Sequence, residues 1–124
     1  MKFSLLFNAA SALLLTSADA WRIRFYEDNN YKGHEVTWSG PGGTGSKCFN
    51  NVDPLNNKIS SIHYYAFNTE RTTRCCVTLY DSPGCQTKNP DWKPQKSCHD
   101  EHWPVIPSTW NNDISSFKTD CRAV

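Results

Sequence analysis

Beyond residue 20, apolar positions fall in short runs alternating with polar ones, and turn residues break each run before a helical period develops. Trp21-Arg22-Ile23-Arg24-Phe25 predicts a strand with Trp21, Ile23 and Phe25 on one face and two arginines on the other. His34-Glu35-Val36-Thr37-Trp38 reads as a second strand, with Val36 expected on a different face from Trp38 or His34. Ile62-His63-Tyr64-Tyr65-Ala66-Phe67 and Cys75-Cys76-Val77-Thr78-Leu79-Tyr80 are further strands, and residues 117–121 form a closing one. Ser39-Gly40-Pro41-Gly42-Gly43-Thr44-Gly45-Ser46 is too rich in glycine for either regular element and reads as a loop. The expectation is an all-β chain.

The first 20 residues follow another pattern. Lys2 gives a positive start, residues 3–15 an apolar run, and Ala18-Asp19-Ala20 a small-residue cleavage site, so residues 1–20 are expected to be a secretory signal peptide. The run is shorter than the roughly 20 apolar residues of a membrane span. Residues 21–124 are then the exported domain, soluble and extracellular.

An internal repeat organises that domain. Asn56-Asn57-Lys58-Ile59-Ser60-Ser61 recurs as Asn111-Asn112-Asp113-Ile114-Ser115-Ser116, an offset of 55 residues (56 to 111). Upstream of each copy, a strand ends in an aromatic and an acid, Phe25-Tyr26-Glu27 and then Leu79-Tyr80-Asp81, 54 residues apart (26 to 80). The chain therefore reads as two similar halves, each too small to bury a core of its own and so packed together in one domain.

Composition narrows the chemistry. The formal net charge is +1, without the basic stripe that nucleic-acid binding needs. Aliphatic residues are few, and large rings are expected to fill the core: 5 Trp, 5 Tyr and 6 Phe in the whole chain. The 6 cysteines, at 48, 75, 76, 85, 98 and 121, lack Cys-X-X-Cys spacing and suit structural disulfides in an oxidising compartment. Cys75 and Cys76, adjacent in a strand, point to opposite faces and must bond different partners. His99-Asp100-Glu101-His102, bounded by Cys98 and Trp103-Pro104, reads as an exposed polar loop. Neither Gly-X-Ser-X-Gly nor His-Glu-X-X-His occurs, so action by binding and not by catalysis is expected.

Phe25-Tyr26-Glu27-Asp28-Asn29-Asn30-Tyr31-Lys32-Gly33 resembles the Greek-key signature of the βγ-crystallin superfamily, and the Asn-Asn-X-X-Ser-Ser repeats resemble that family's calcium-binding segments. The resemblance implies a β-sandwich of two Greek-key motifs, about 21–70 and about 74–124, with Gly33 supplying a positive φ for a folded hairpin. The second hairpin, Tyr80-Asp81-Ser82-Pro83-Gly84, is shorter and lacks the second aromatic, which implies a truncated turn held by Cys85 in a disulfide.

The resemblance also implies two Ca2+ sites, each clamped between one repeat and the other half's hairpin. One takes the side chains of Asn112 and Ser115 with the Asp113 carbonyl, completed by the Glu27 carbonyl. The other takes Asn57 and Ser60 with the Lys58 carbonyl, completed near Asp81. Hydroxyl, amide and backbone oxygens all suit a hard cation that wants about six to eight of them. Asp113 adds a negative charge to the first site and Lys58 a positive one to the second, so the Asn112 site is expected to bind tighter. With few formal charges, a dissociation constant of about 10⁻⁴ M is expected.

The function expected is that of a secreted calcium-binding module, with calcium and an extracellular protein or cell-surface target as partners. It is expected to be a monomer with no nucleic-acid or membrane-spanning role. Small exported relatives of this family suggest two alternatives, an antimicrobial or killer-toxin-like effector and a protease inhibitor. Residues 39–47 and 85–98 are the candidate inhibitory loops.

Overall fold

Burial follows the alternation. In β1 (Trp21–Asp28), Trp21, Ile23 and Phe25 are buried while Arg22 is exposed. In the computed structural model, which describes residues 19–124, the other strands are β2 (Lys32–Gly40), β3 (Gly45–Phe49), β4 (Ser61–Tyr65), β5 (Thr73–Tyr80), β6 (Gln95–Ser97), β7 (Glu101–Trp103) and β8 (Ser116–Ala123). The expected signal peptide lies outside the described residues except for Asp19 and Ala20. Ala20 is buried, and its N–H donates to the Gly40 carbonyl at 2.8 Å. Among the described residues no helix is long and apolar enough to cross a membrane.

The strands form two four-stranded antiparallel sheets, ordered β2-β1-β4-β7 and β3-β8-β5-β6. Each sheet takes three strands from one half of the chain and one edge strand from the other. β3 of the first half pairs with β8, and β7 of the second half pairs with β4. The chain is all-β, as its pattern predicted, and the two sheets form the β-sandwich that the family resemblance implied.

Between the sheets lie the rings that the composition called for. Phe117 of β8 meets Phe25 at 5.6 Å and Trp21 at 5.9 Å between centroids, and stacks on Phe49 at 4.6 Å. Buried Tyr64 donates its hydroxyl to the Cys75 carbonyl, a bond from β4 across the core to β5. Burial, with Asp100 nearby, raises the Tyr64 pKa, so the phenol stays protonated and remains a donor.

Three disulfides brace the sandwich, and among the described residues no cysteine is free. Cys75 bonds Cys121, its direct cross-strand neighbour, while Cys76 bonds Cys98. The two adjacent cysteines thus take different partners, as their opposite faces require. Cys48–Cys85 ties β3 to the second hairpin and is the bridge between the two halves.

The structure corrects three local expectations. Ser39 and Gly40 end β2, and Gly45 and Ser46 begin β3, so only residues 41–44 are loop. Gly40 belongs in a strand because the Trp21 indole lies where its side chain would be: a Cβ there would come within 2.8 Å of the ring. Val36 and Trp38 share a face and both pack on the core, whereas His34 is exposed. The polar segment containing His99 and His102 is partly strand, since Glu101–Trp103 is β7. The runs β3, β6 and β7 all escaped the alternation for one reason: they are short edge strands, which need no apolar face.

Candidate functional site

Two hairpins and two repeats meet at one end of the sandwich. In the first hairpin Asn30, Tyr31 and Gly33 take φ of 60°, 61° and 81°, folding the turn back so that the Tyr31 and Tyr26 rings lie 5.5 Å apart. Ser61 holds this shape: its buried hydroxyl donates to the Asp28 carbonyl at 2.6 Å and accepts from the Tyr31 N–H at 3.0 Å. Ser116 repeats the device, donating to the Ser82 carbonyl at 2.5 Å and accepting from the Cys85 N–H at 2.9 Å. The second hairpin is short, turning at Gly84 (φ 74°) and Cys85 (φ 58°), and the Cys48–Cys85 bond anchors it. The last serine of each repeat is therefore a structural staple.

The repeats themselves cross. Asn57 and Asn112 both take left-handed φ, 60° and 63°, a conformation that asparagine tolerates better than most residues. The Asn57 N–H donates to the Ile114 carbonyl at 3.1 Å, and the Asn112 N–H to the Ile59 carbonyl at 3.0 Å. The Ser60 N–H donates to the Tyr26 carbonyl at 2.9 Å, and the Ser115 N–H to the Tyr80 carbonyl at 2.8 Å. These are matching bonds at the repeat offset, so the two halves meet about a pseudo-twofold axis.

That geometry regroups the candidate oxygens. The Ser60 hydroxyl lies 3.2 Å from Asn111 Oδ1 and 3.4 Å from Asn112 Oδ1. The Ser115 hydroxyl donates to Asn57 Oδ1 at 2.9 Å. Each serine thus sits beside its own half's hairpin and reaches the opposite half's asparagine, whereas the family resemblance implied Asn112 with Ser115 and Asn57 with Ser60. The reason is the backbone crossing: the Ser60 amide is committed to Tyr26, which brings its side chain next to Glu27. Glu27, Asp28, Asn57, Lys58, Ser60 and Asn112 line one open depression.

The side chains of Asp81 and Asp113 are engaged elsewhere. The Asp81 carboxylate accepts the Lys88 and Asn89 N–H groups at 2.7 and 3.2 Å, capping the loop after the second hairpin. The Asp113 side chain is exposed and borders a separate depression with Asn89, Asp91 and Trp92. Asn111, the first residue of the second repeat but outside the expected ligand sets, is brought to the Ser60 hydroxyl. Its equivalent in the first repeat, Asn56, gives no warning of this, because the contact depends on which half each serine faces.

Solved structures with the same architecture are βγ-crystallin domains. The domain from Ciona intestinalis is 19% identical, covering 77% of this chain and 95% of its own, with a TM-score of 0.50. The domain from Clostridium beijerinckii is 18% identical, covering 79% and 95%, with a TM-score of 0.51. The chain has the βγ-crystallin fold. A clostrillin variant carrying two serine-to-histidine substitutions, solved in complex with nickel, matches the fold at 18% identity and a TM-score of 0.50, covering 80% and 97%. No protein-family model and no curated protein matches the chain. In a βγ-crystallin fold the exchanged strands β3 and β7 bring the repeats of the two halves side by side, and the crossing bonds at residues 57–60 and 112–115 depend on that exchange.

Proposed function

We propose that this protein is a secreted calcium-binding module that acts by binding an extracellular partner and not by catalysis. The observation that carries the reading is the pair of crosswise serine–asparagine contacts, Ser60 with Asn112 and Ser115 with Asn57, repeated at equivalent places in the two halves. The donor set suits the ion: amide oxygens, hydroxyls and nearby backbone carbonyls are hard ligands, with no imidazole or thiolate among them. One site would draw on Ser60, Asn112 and the Glu27 carbonyl with the Asp113 carbonyl, and the other on Ser115, Asn57 and the Lys58 carbonyl with the chain at Asp81. Export agrees with the apolar leader in the sequence and with three disulfides.

The experiment is thermal unfolding with calcium against chelator. At a dissociation constant of about 10⁻⁴ M, ~1 mM free calcium stabilises by roughly 1.4 kcal/mol per site, a rise in Tm of several degrees. Identical melting curves would overturn the reading.

A second reading, protease inhibition, is favoured by one observation. The exposed residues 86–91 lie between Cys85 and Cys98, each held in a disulfide, which stiffens the loop at both ends. Rigid presentation lowers the entropy cost of entering an enzyme cleft. A protease panel tests it, with inhibition lost on reduction as the expected result.

A further inference from the structure

The outer face of the first sheet carries a feature that the calcium reading does not use. Register sets Arg24 of β1 opposite His63 of β4, and His63 opposite His102 of β7. The two imidazole centroids are 4.9 Å apart, with their planes at 62°. Two imidazoles sharing one ion through metal–nitrogen bonds of about 2.0–2.1 Å, at angles between square and tetrahedral, place their centroids roughly 4.5–5.2 Å apart. The observed separation falls inside that window.

We propose that His63 and His102 form a cross-strand site for a late first-row transition-metal ion, Zn2+, Ni2+ or Cu2+, separate from the oxygen-lined depression. Neighbouring rings hold the pair in place. Tyr31 lies over His63 with centroids 3.8 Å apart, and Tyr65 flanks His63 at 6.3 Å and His102 at 6.1 Å. Nδ1 of His63 is buried and has no hydrogen-bond partner among the described residues, so no protein group holds the ring's proton in place. The Arg24 charge is offset by Glu35, whose carboxylate lies 3.9 Å from its guanidinium. Among the described residues no group of three His, Cys, Asp or Glu side chains converges, so water completes the coordination and the site is weaker than a structural zinc centre.

The test is titration calorimetry of the calcium-saturated protein with nickel chloride. One ion per chain is expected, with binding weakened by about tenfold or more in His102→Gln, since one of two imidazoles is lost. His34→Gln and His99→Gln, in exposed residues outside the pair, leave it unchanged. Selective paramagnetic broadening of the His63 and His102 imidazole signals in the unsubstituted protein gives a readout independent of any effect on folding. Absence of binding, undiminished binding in His102→Gln, or broadening centred on His34 or His99 would overturn the proposal.

Discussion

Ser60 and Asn112, 52 residues apart in the chain, are neighbours, with hydroxyl and amide oxygen 3.4 Å apart. The contact joins the first half to the second, and Ser115 with Asn57 returns it at 2.9 Å. Neither cluster of oxygens exists within one half.

The grouping decides which serine matters more. Ser60 shares its depression with Glu27 and Asp28, two acids, whereas the Asp81 carboxylate near Ser115 is taken up by the amides of Lys88 and Asn89. We expect Ser60→Ala to weaken calcium binding by about tenfold and Ser115→Ala by less, measured by calorimetry. The grouping that the family resemblance implied, with Ser115 beside Asn112, would rank them the other way.

Replacing Cys48 and Cys85 together with alanine should lower stability by about 3–4 kcal/mol, given the 37-residue separation that the bond closes. Urea unfolding measures it. Because this bridge holds the short second hairpin, the loss should also loosen amide protection around residues 82–86.

Gly33→Ala places a Cβ at a φ of 81° and 2.5 Å from Asp28 Oδ2. The left-handed backbone and the displaced carboxylate together should cost about 1–3 kcal/mol. Chemical denaturation in chelator isolates that cost from any effect on calcium.

His63 gives stability a pH dependence. Its pKa is lowered by burial first, then by His102 and Arg24, with Glu35 opposing; the rings of Tyr26, Tyr31 and Tyr65 pack around it. The folded state therefore binds the proton more weakly than the unfolded state does. The contribution of His63 is fully present above its unfolded value near 6.5 and is lost as pH falls through the lowered folded value. In chelator, Tm should drop between pH 7 and pH 5, and His63→Gln should flatten that drop.

Much of the fold was legible because long central strands must alternate. Trp21, Ile23 and Phe25 announce β1, and Cys75, Val77 and Leu79 announce β5, since each buries one face. The edge strands β3, β6 and β7 bury little and so left no pattern. The 55-residue repeat disclosed the asparagines and serines that meet. It hid their pairing, because pairing depends on strand exchange between the halves, and local sequence does not encode which sheet a five-residue edge strand joins. Register alone put His63 against His102, from segments 39 residues apart (63 to 102) with no shared motif.

The exchanged strands make the two halves inseparable. A polypeptide cut near residue 70 would leave either piece a sheet short of one member, with an unpaired rim open to solvent. Such pieces would stay joined through Cys48–Cys85, and only on reduction would each have to recover its missing strand by reassociating or by invading intact copies, so scission of that linker is expected to yield a disulfide-linked pair and never two independent miniature proteins.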